Sequence, residues 1–207
     1  MNIHSVPVAT LPMTSRVLDA ALAVFTERTY GGATVPQVAE HAGIGVGTIY
    51  RSFAGKEELA NGVYRRAKQA MLDHLVSALT AAGPDAGSRA RVRAVWSGLA
   101  AYAASDPDGF AILEHQQHAA YLDSESLDLG RRIDAFAEEL VRDGQRSGDL
   151  RGDAPAMLVA LVFGACVGLT KQRRSAGQPL TDHDVEVAGD AVWNLVARPT
   201  PTPEEHR

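Results

Sequence analysis

Cysteine is nearly missing from this 207-residue chain: Cys166 stands alone. A single thiol excludes an internal disulfide framework and fits a reducing compartment, and the apolar residues around it suggest an inert buried group. The N-terminal segment has no basic stretch followed by an apolar run, so a secretory signal is not expected. No apolar stretch is long enough to cross a bilayer; the best, Met157 to Leu169, is short and interrupted by glycines. The sequence therefore predicts a cytoplasmic protein with no membrane partner. Signals for β-hairpins are lacking. So are a nucleophile elbow, a phosphate-binding glycine loop and a paired-histidine zinc motif of the usual form, which argues against an enzyme and calls for no cofactor.

What is present is helical periodicity almost everywhere, which predicts an all-α fold. With 45% hydrophobic content the chain can bury a substantial core in one large domain or two smaller ones. A first helix carries the apolar stripe Leu18, Ala21, Leu22 and Phe25. A long helix is predicted from Lys56 to about Ala82, stopped by Gly83-Pro84, with others over Ser88 to Ser105, Asp108 to Tyr121 and Ser124 to Ser147. Asp153 is the expected cap of the next, with Pro155 in its first turn, and Thr181 or Asp182 that of a last helix reaching Val196. About nine helices result. Residues 1–12 and 198–207 are expected to be mobile tails, with 13–55 and 56–197 as the two folded parts.

The net charge of −5 is unevenly spread. Residues 1–68 hold 7 Lys+Arg against 5 Asp+Glu, and residues 69–207 hold 13 against 20. The first part is thus mildly basic and the second acidic. In the basic part lies the most informative stretch, Thr34 to Leu59 (TVPQVAEHAGIGVGTIYRSFAGKEEL). Thr34 and Gln37 are spaced as a capping box, and Pro36 falls in the first turn of the helix they start. Gly43 ends it. Gly45 then opens a second helix whose Ile49 and Phe53, four apart, share a buried face, leaving Val46, Gly47, Thr48, Tyr50 and Arg51 pointing elsewhere. Two short helices around a tight turn are the arrangement that places one helix in a DNA major groove.

Across Arg16 to Leu59, with its Thr-Val helix start, Ala-Gly-Ile, Gly-Thr-Ile-Tyr, Phe53 and Lys-Glu, the chain resembles the TetR family of transcriptional regulators. That resemblance implies a ligand-responsive regulator, usually a repressor, which binds a double-stranded DNA operator as a homodimer and is released by a small-molecule effector. It places Thr34, Val46, Gly47, Thr48, Tyr50 and Lys56 at DNA, with Tyr50 and Lys56 on phosphates, and adds Arg51 and Ser52 as further contacts. Four positions depart from the family's usual choices. Gly45 stands where a polar cap is common, Val46 where a polar or basic residue is, Ala33 for a second Thr, and Thr29 for Gly. Polar base readout then falls chiefly to Thr48 and Arg51. The other outcome for such a sequence is a ligand-binding or protein-interaction module of the same fold that has lost operator recognition.

In the remainder, Ala160, Gly164, Val167 and Gly168, followed by Val185, Ala188, Val192 and Trp193, put small and apolar residues on the faces of the last two helices. Two such helices from each subunit would form a four-helix dimer interface. Met71, Trp96, Tyr102, Phe110, Leu113, Gln117, Tyr121, Phe136 and Phe163 are candidates to line an apolar effector pocket, although aromatics at helical spacing more often form core. His115 and His118, with Glu114 adjacent, are three apart on one face, but no third and fourth ligand is placed and no metal is expected.

Overall fold

Helix boundaries follow the capping chemistry almost throughout. The computed structural model describes residues 13–114 and 121–199, within which nine helices occur: α1 (Met13–Gly32), α2 (Val35–Ala42), α3 (Val46–Tyr50), α4 (Lys56–Ala82), α5 (Ser88–Ser105), α6 (Pro107–Glu114), α7 (Ser124–Arg146), α8 (Pro155–Ser175) and α9 (Asp182–Val196). Among the described residues the only extended pairing is one bridge between Leu150 and Ala197. The expected N-terminal tail, residues 200–207, and the candidates His115, Gln117 and His118 lie outside the described residues. The chain divides into two compact units, one made of Met1–Ala70 with Asp106–Leu129 and the other of Met71–Ser105 with Gly130–Arg207.

In the first unit, α1 buries Val17, Ala20, Ala21, Val24 and Phe25 against α2, α3 and the start of α4. This face is rotated from the expected stripe. Leu18 and Leu22 are only partly buried and pack against the edge of this cluster, in which Ala20 and Ala21 are fully enclosed. Gly62 on α4 leaves room for Leu18, whose Cδ2 lies 2.9 Å from where a Cβ would stand. The last turn of α1 is kinked at Thr29, which adopts φ 57° and ψ 167°. Only glycine visits that region freely, and another residue held there costs about 1–3 kcal/mol. Thr29→Gly is therefore expected to raise the stability of this unit by about 1 kcal/mol, part of the relief being lost to glycine's larger unfolded-state entropy. A denaturant titration measures it; an unchanged or lower midpoint would show that Thr29 is not strained.

In the second unit, α5 packs on both α8 and α9. Trp96 is 1% exposed, donates its indole N–H to the Val185 carbonyl at 2.7 Å, and lies over Gly189, where a Cβ would meet its Cδ1 at 3.1 Å. Gly98 lets α5 approach the α4 backbone, with the His74 carbonyl 3.0 Å from its would-be Cβ. Gly148, at φ 82°, ends α7, and the chain then pairs Arg151 N–H with the Val196 carbonyl and Arg198 N–H with that of Asp149. Arg198 is thus tied down rather than opening a tail. Thr181 caps α9: its hydroxyl accepts the Asp184 N–H, and the Asp184 carboxylate accepts the Thr181 N–H at 3.0 Å. The Thr181 hydroxyl, donating to the Asp184 carboxylate at 2.7 Å, then the Thr181 N–H and the ion pair to Arg173 hold that carboxyl down to about 2.

Two expectations need correction here. Asp153 does not cap α8; Ala154 occupies that position without a side-chain bond, and Asp153 instead pairs with Arg151 while its carbonyl accepts from Gln145. The apolar stretch Met157 to Leu169 also does not stand alone as a short element. It belongs to the 21-residue helix Pro155–Ser175, which by length and composition alone could cross a membrane. Only 17% of that apolar window is buried within the chain.

Candidate nucleic-acid interface

The geometry of α2 and α3 follows from a few local bonds. Gln37 Oε1 accepts the Thr34 N–H at 3.0 Å at the start of α2, and Gly43 closes it in the left-handed conformation, φ 65° and ψ 37°. From Gly45 the chain enters α3, only five residues long. So short a helix has no stability of its own, because the cost of nucleation is not recovered in one turn. Ile49, fully buried, and Phe53, 7% exposed, seat it on the core.

Around that anchor the expected readers are displayed unequally. Tyr50 is 54% exposed, and Thr34, Gly47, Arg51 and Ser52 are exposed as well. Thr48 is half-buried, and its hydroxyl accepts a hydrogen bond from the Arg51 guanidinium at 3.0 Å, so these two side chains stand together. Val46 does not share this surface fully, being half-buried and packed against the core cluster. A Cβ added at Gly45 or Gly47 would meet nothing within 4 Å.

Lys56, at the start of α4, is half-buried and already engaged. Its ammonium donates to the Tyr30 carbonyl at 3.0 Å and sits 4.4 Å from the centre of the Tyr30 ring. An ammonium has three donors, so this bond leaves two for another acceptor. The Tyr30 ring in turn stacks on Tyr121, with centroids 4.1 Å apart and planes at 21°. Burial first, and then the Glu57 carboxylate, push the Tyr30 hydroxyl up; burial and the neighbouring tyrosines push that of Tyr121 up to about 12. Tyr30 was not among the residues singled out from sequence. Its tie to Lys56 spans 26 residues, beyond any local pattern.

Few cations face outward in this unit. Arg65 is held by Asp123 and Glu125, Arg66 by Asp19, and Arg16 donates to the Ala42 carbonyl. Arg28 and Arg51 are the exposed arginines before α4.

The residues expected at an effector pocket are distributed over both units. Met71, Trp96 and Tyr102 are buried in the second and Phe110 in the first; Leu113, Tyr121, Phe136 and Phe163 are half-buried. Trp96 is packed against α9 as core, as its hydrogen bond shows. A cleft of about 240 Å³ does open in the second unit, between the start of α5 and the end of α7, bordered by Ser88, Arg91, Leu140, Asp143 and Asp149. None of the expected pocket residues borders it. No group of His, Cys, Asp and Glu able to hold a metal occurs among the described residues.

On α8, Leu158, Cys166 and Thr170 face inward while Ala160, Gly164 and Gly168 are exposed and Val167 half-buried. On α9, Val192 is buried and Val185, Ala188 and Trp193 are half-buried. The exposed large apolar residues of these helices are Met157, Leu161, Val187 and Leu195, none of which was expected at the interface from sequence. Periodicity reveals that an apolar face exists but not which edge of it remains uncovered.

Residues 17–63 match the model of the bacterial regulatory proteins of the tetR family, and residues 69–198 that of the tetracyclin repressor-like C-terminal domain. No curated protein matches the chain. Among solved structures, a TetR family transcription regulator from Marinobacter aquaeolei VT8 superposes with a TM-score of 0.76 at 20% identity, over 89% of this chain and 95% of that one. A bacterial regulatory protein in the tetR family from Rhodococcus RHA1 gives 0.76 at 16% identity, over 90% and 98%. The fatty acid degradation regulator FadR from Bacillus halodurans gives 0.70 at 18% identity, over 90% and 95%. At these identities the likeness is one of fold.

Proposed function

We propose that this chain, which belongs to the TetR family of bacterial regulatory proteins, is a ligand-responsive repressor that binds a palindromic operator as a homodimer in the cytoplasm and is released by a small-molecule effector. Members of the family are DNA-binding transcription regulators and not enzymes, and so is this chain. The observation that carries the proposal is α3 itself. A five-residue helix pinned by Ile49, together with the turn that follows it, presents Thr48, Tyr50, Arg51 and Ser52 outward, the form required of an element that enters a major groove. Tyr50, Thr34 and the remaining donors of Lys56 take phosphates, and Gly47 lets a DNA strand come close to the helix backbone. The Arg51 and Thr48 pair reads base edges.

Dimerisation is supported by the glycines of α8. Each glycine in a helix interior costs about 1 kcal/mol relative to alanine. At Gly164 and Gly168 a Cβ would meet nothing within 4 Å among the described residues, so packing within the described protomer does not require them. Ala160, Gly164 and Gly168, spaced four apart, form a smooth ridge that suits close approach of a partner helix, flanked by Met157 and Leu161 and by Val187 and Leu195 of α9. A second copy covering this face also accounts for an apolar helix that its own chain leaves largely uncovered, without a membrane. Within the second unit, the effector site is assigned to the apolar candidates Met71, Tyr102, Phe136 and Phe163. Coupling of about 1–3 kcal/mol would change operator affinity roughly 5- to 150-fold.

Substitution separates the roles. Tyr50→Ala is expected to weaken operator and random duplex alike, whereas Arg51→Ala loses affinity for the operator and relaxes preference at one base pair, by about 1–3 kcal/mol. Fluorescence anisotropy against the two duplexes measures both. Equal losses on both duplexes for Arg51→Ala would reassign it to the backbone. The inward packing of Val46 and the bare Gly45 cap favour a second reading, a module of this fold without operator recognition; retention of DNA from upstream of the gene decides between the two.

A further inference from the structure

We infer that Tyr121, in the connection between α6 and α7, is a positioning residue for the Lys56 ammonium and acts on it through Tyr30. The inference rests on the assignment of Lys56 to a phosphate proposed above, and deepens it.

Lys56 is fixed by two features of one residue, the main-chain carbonyl and the ring face of Tyr30. The carbonyl directly follows the kink at Thr29. The Tyr30 ring also stacks on Tyr121, whose near-parallel ring fixes the plane against which the ammonium rests. A ring that meets both a cation and a second ring cannot tilt without weakening both contacts. Tyr121 is itself clamped. Asn61, 3% exposed, donates to the Tyr121 carbonyl at 2.9 Å and to the Glu57 carbonyl one turn earlier, while its own oxygen accepts the Asp123 N–H at 2.9 Å. Arg65, one turn further along α4, holds the Asp123 carboxylate and the Ser126 hydroxyl. The first turns of α4 therefore grip the 121–126 segment, and that segment returns through Tyr121 and Tyr30 to the residue that opens α4. All these groups lie in one compact unit. Buried Asn61 thus directs two of its three bonds at the backbone of one distant segment and the third at its own helix, a fully satisfied polar network that specifies a single arrangement.

The test uses the full chain with Tyr121→Leu, which removes the stack, and Tyr121→Phe, which keeps it. The chain has three lysines, Lys56, Lys68 and Lys171, so their side-chain resonances are separable after lysine labelling. In the parent, the Lys56 methylene next to the ammonium is shifted upfield by the Tyr30 ring relative to exposed Lys171; Tyr121→Leu is expected to move it to the Lys171 position and Tyr121→Phe to leave it. On DNA, Tyr121→Leu is expected to weaken operator and random duplex alike by about 3- to 10-fold and to lower the salt slope by about one to two, as loss of one phosphate contact per protomer does. Its effect should vanish in a Lys56→Met background. An unmoved Lys56 resonance in a folded Tyr121→Leu chain, or a full additional loss in the Lys56→Met background, overturns the inference. Tyr121→Met serves the same purpose where circular dichroism shows the leucine variant unfolded. A parent chain that retains no DNA defeats the proposed function, and the resonance still decides the positioning.

Discussion

Gly164→Arg is expected to leave the chain folded while turning a dimer into monomers and cutting operator affinity by about 10²–10⁴-fold, the avidity of two linked reading helices. The fold should tolerate it because Gly164 is exposed on α8 and its Cβ position is open for 4 Å around. Arginine is also the better helix former by about 0.8–1 kcal/mol, so the isolated protomer gains rather than loses stability. Against a second α8 the same side chain occupies the ridge of Ala160, Gly164 and Gly168, where backbones must approach closely, and it brings an unpaired charge into an apolar contact. Sedimentation equilibrium and anisotropy on the same samples measure both effects. A chain that stays dimeric and binds with parent affinity would place the interface elsewhere.

Ile49→Ala should do the reverse. Ile49 is fully buried and anchors a helix of five residues, so removing three carbons leaves a cavity costing about 2–5 kcal/mol. For a chain of this size each kcal/mol shifts the melting temperature by about 2–4 °C, and a fall of about 10 °C is expected. Dimerisation is untouched, since Ile49 lies in the first unit and the ridge in the second. Operator affinity falls because Tyr50, Thr48 and Arg51 are held outward only while Ile49 holds the helix down. Scanning calorimetry and anisotropy report the two effects. Loss of stability with unchanged operator affinity would show that α3 does not carry the reading surface.

Much of this was legible in the sequence, for a physical reason: the signals that start and stop helices are local. Thr34 with Gln37, and Gly43, act across at most four residues and mark their boundaries in the structure, and of the two caps open for the last helix, Thr181 or Asp182, the structure has Thr181. Ile49 and Phe53 declared the buried side of α3 by spacing alone. The departure at Thr29, visible only against the family's usual glycine, marks the one non-glycine residue with positive φ among those described. What escaped depends on distance along the chain or on a choice between equal partners. Asn61 meets Tyr121 from 60 residues away, and nothing near either announces it. Asp153 has the composition of a cap but found Arg151 instead. The rotation of α1 and the exposed edge made by Leu161 and Val187 depend on what each helix meets, which periodicity leaves open.

Hydroxyl-radical footprinting of the chain on duplex from upstream of its own gene, at low and at moderate salt, bears most directly on two reading helices acting from one dimer. The expected pattern is a pair of protected patches on one face of the duplex, related by two-fold symmetry, with centres about 34–36 Å apart or a multiple of that, fading as salt rises. Absence of protection at low salt, or a single unsymmetrical patch that Tyr50→Ala leaves unchanged, would contradict it.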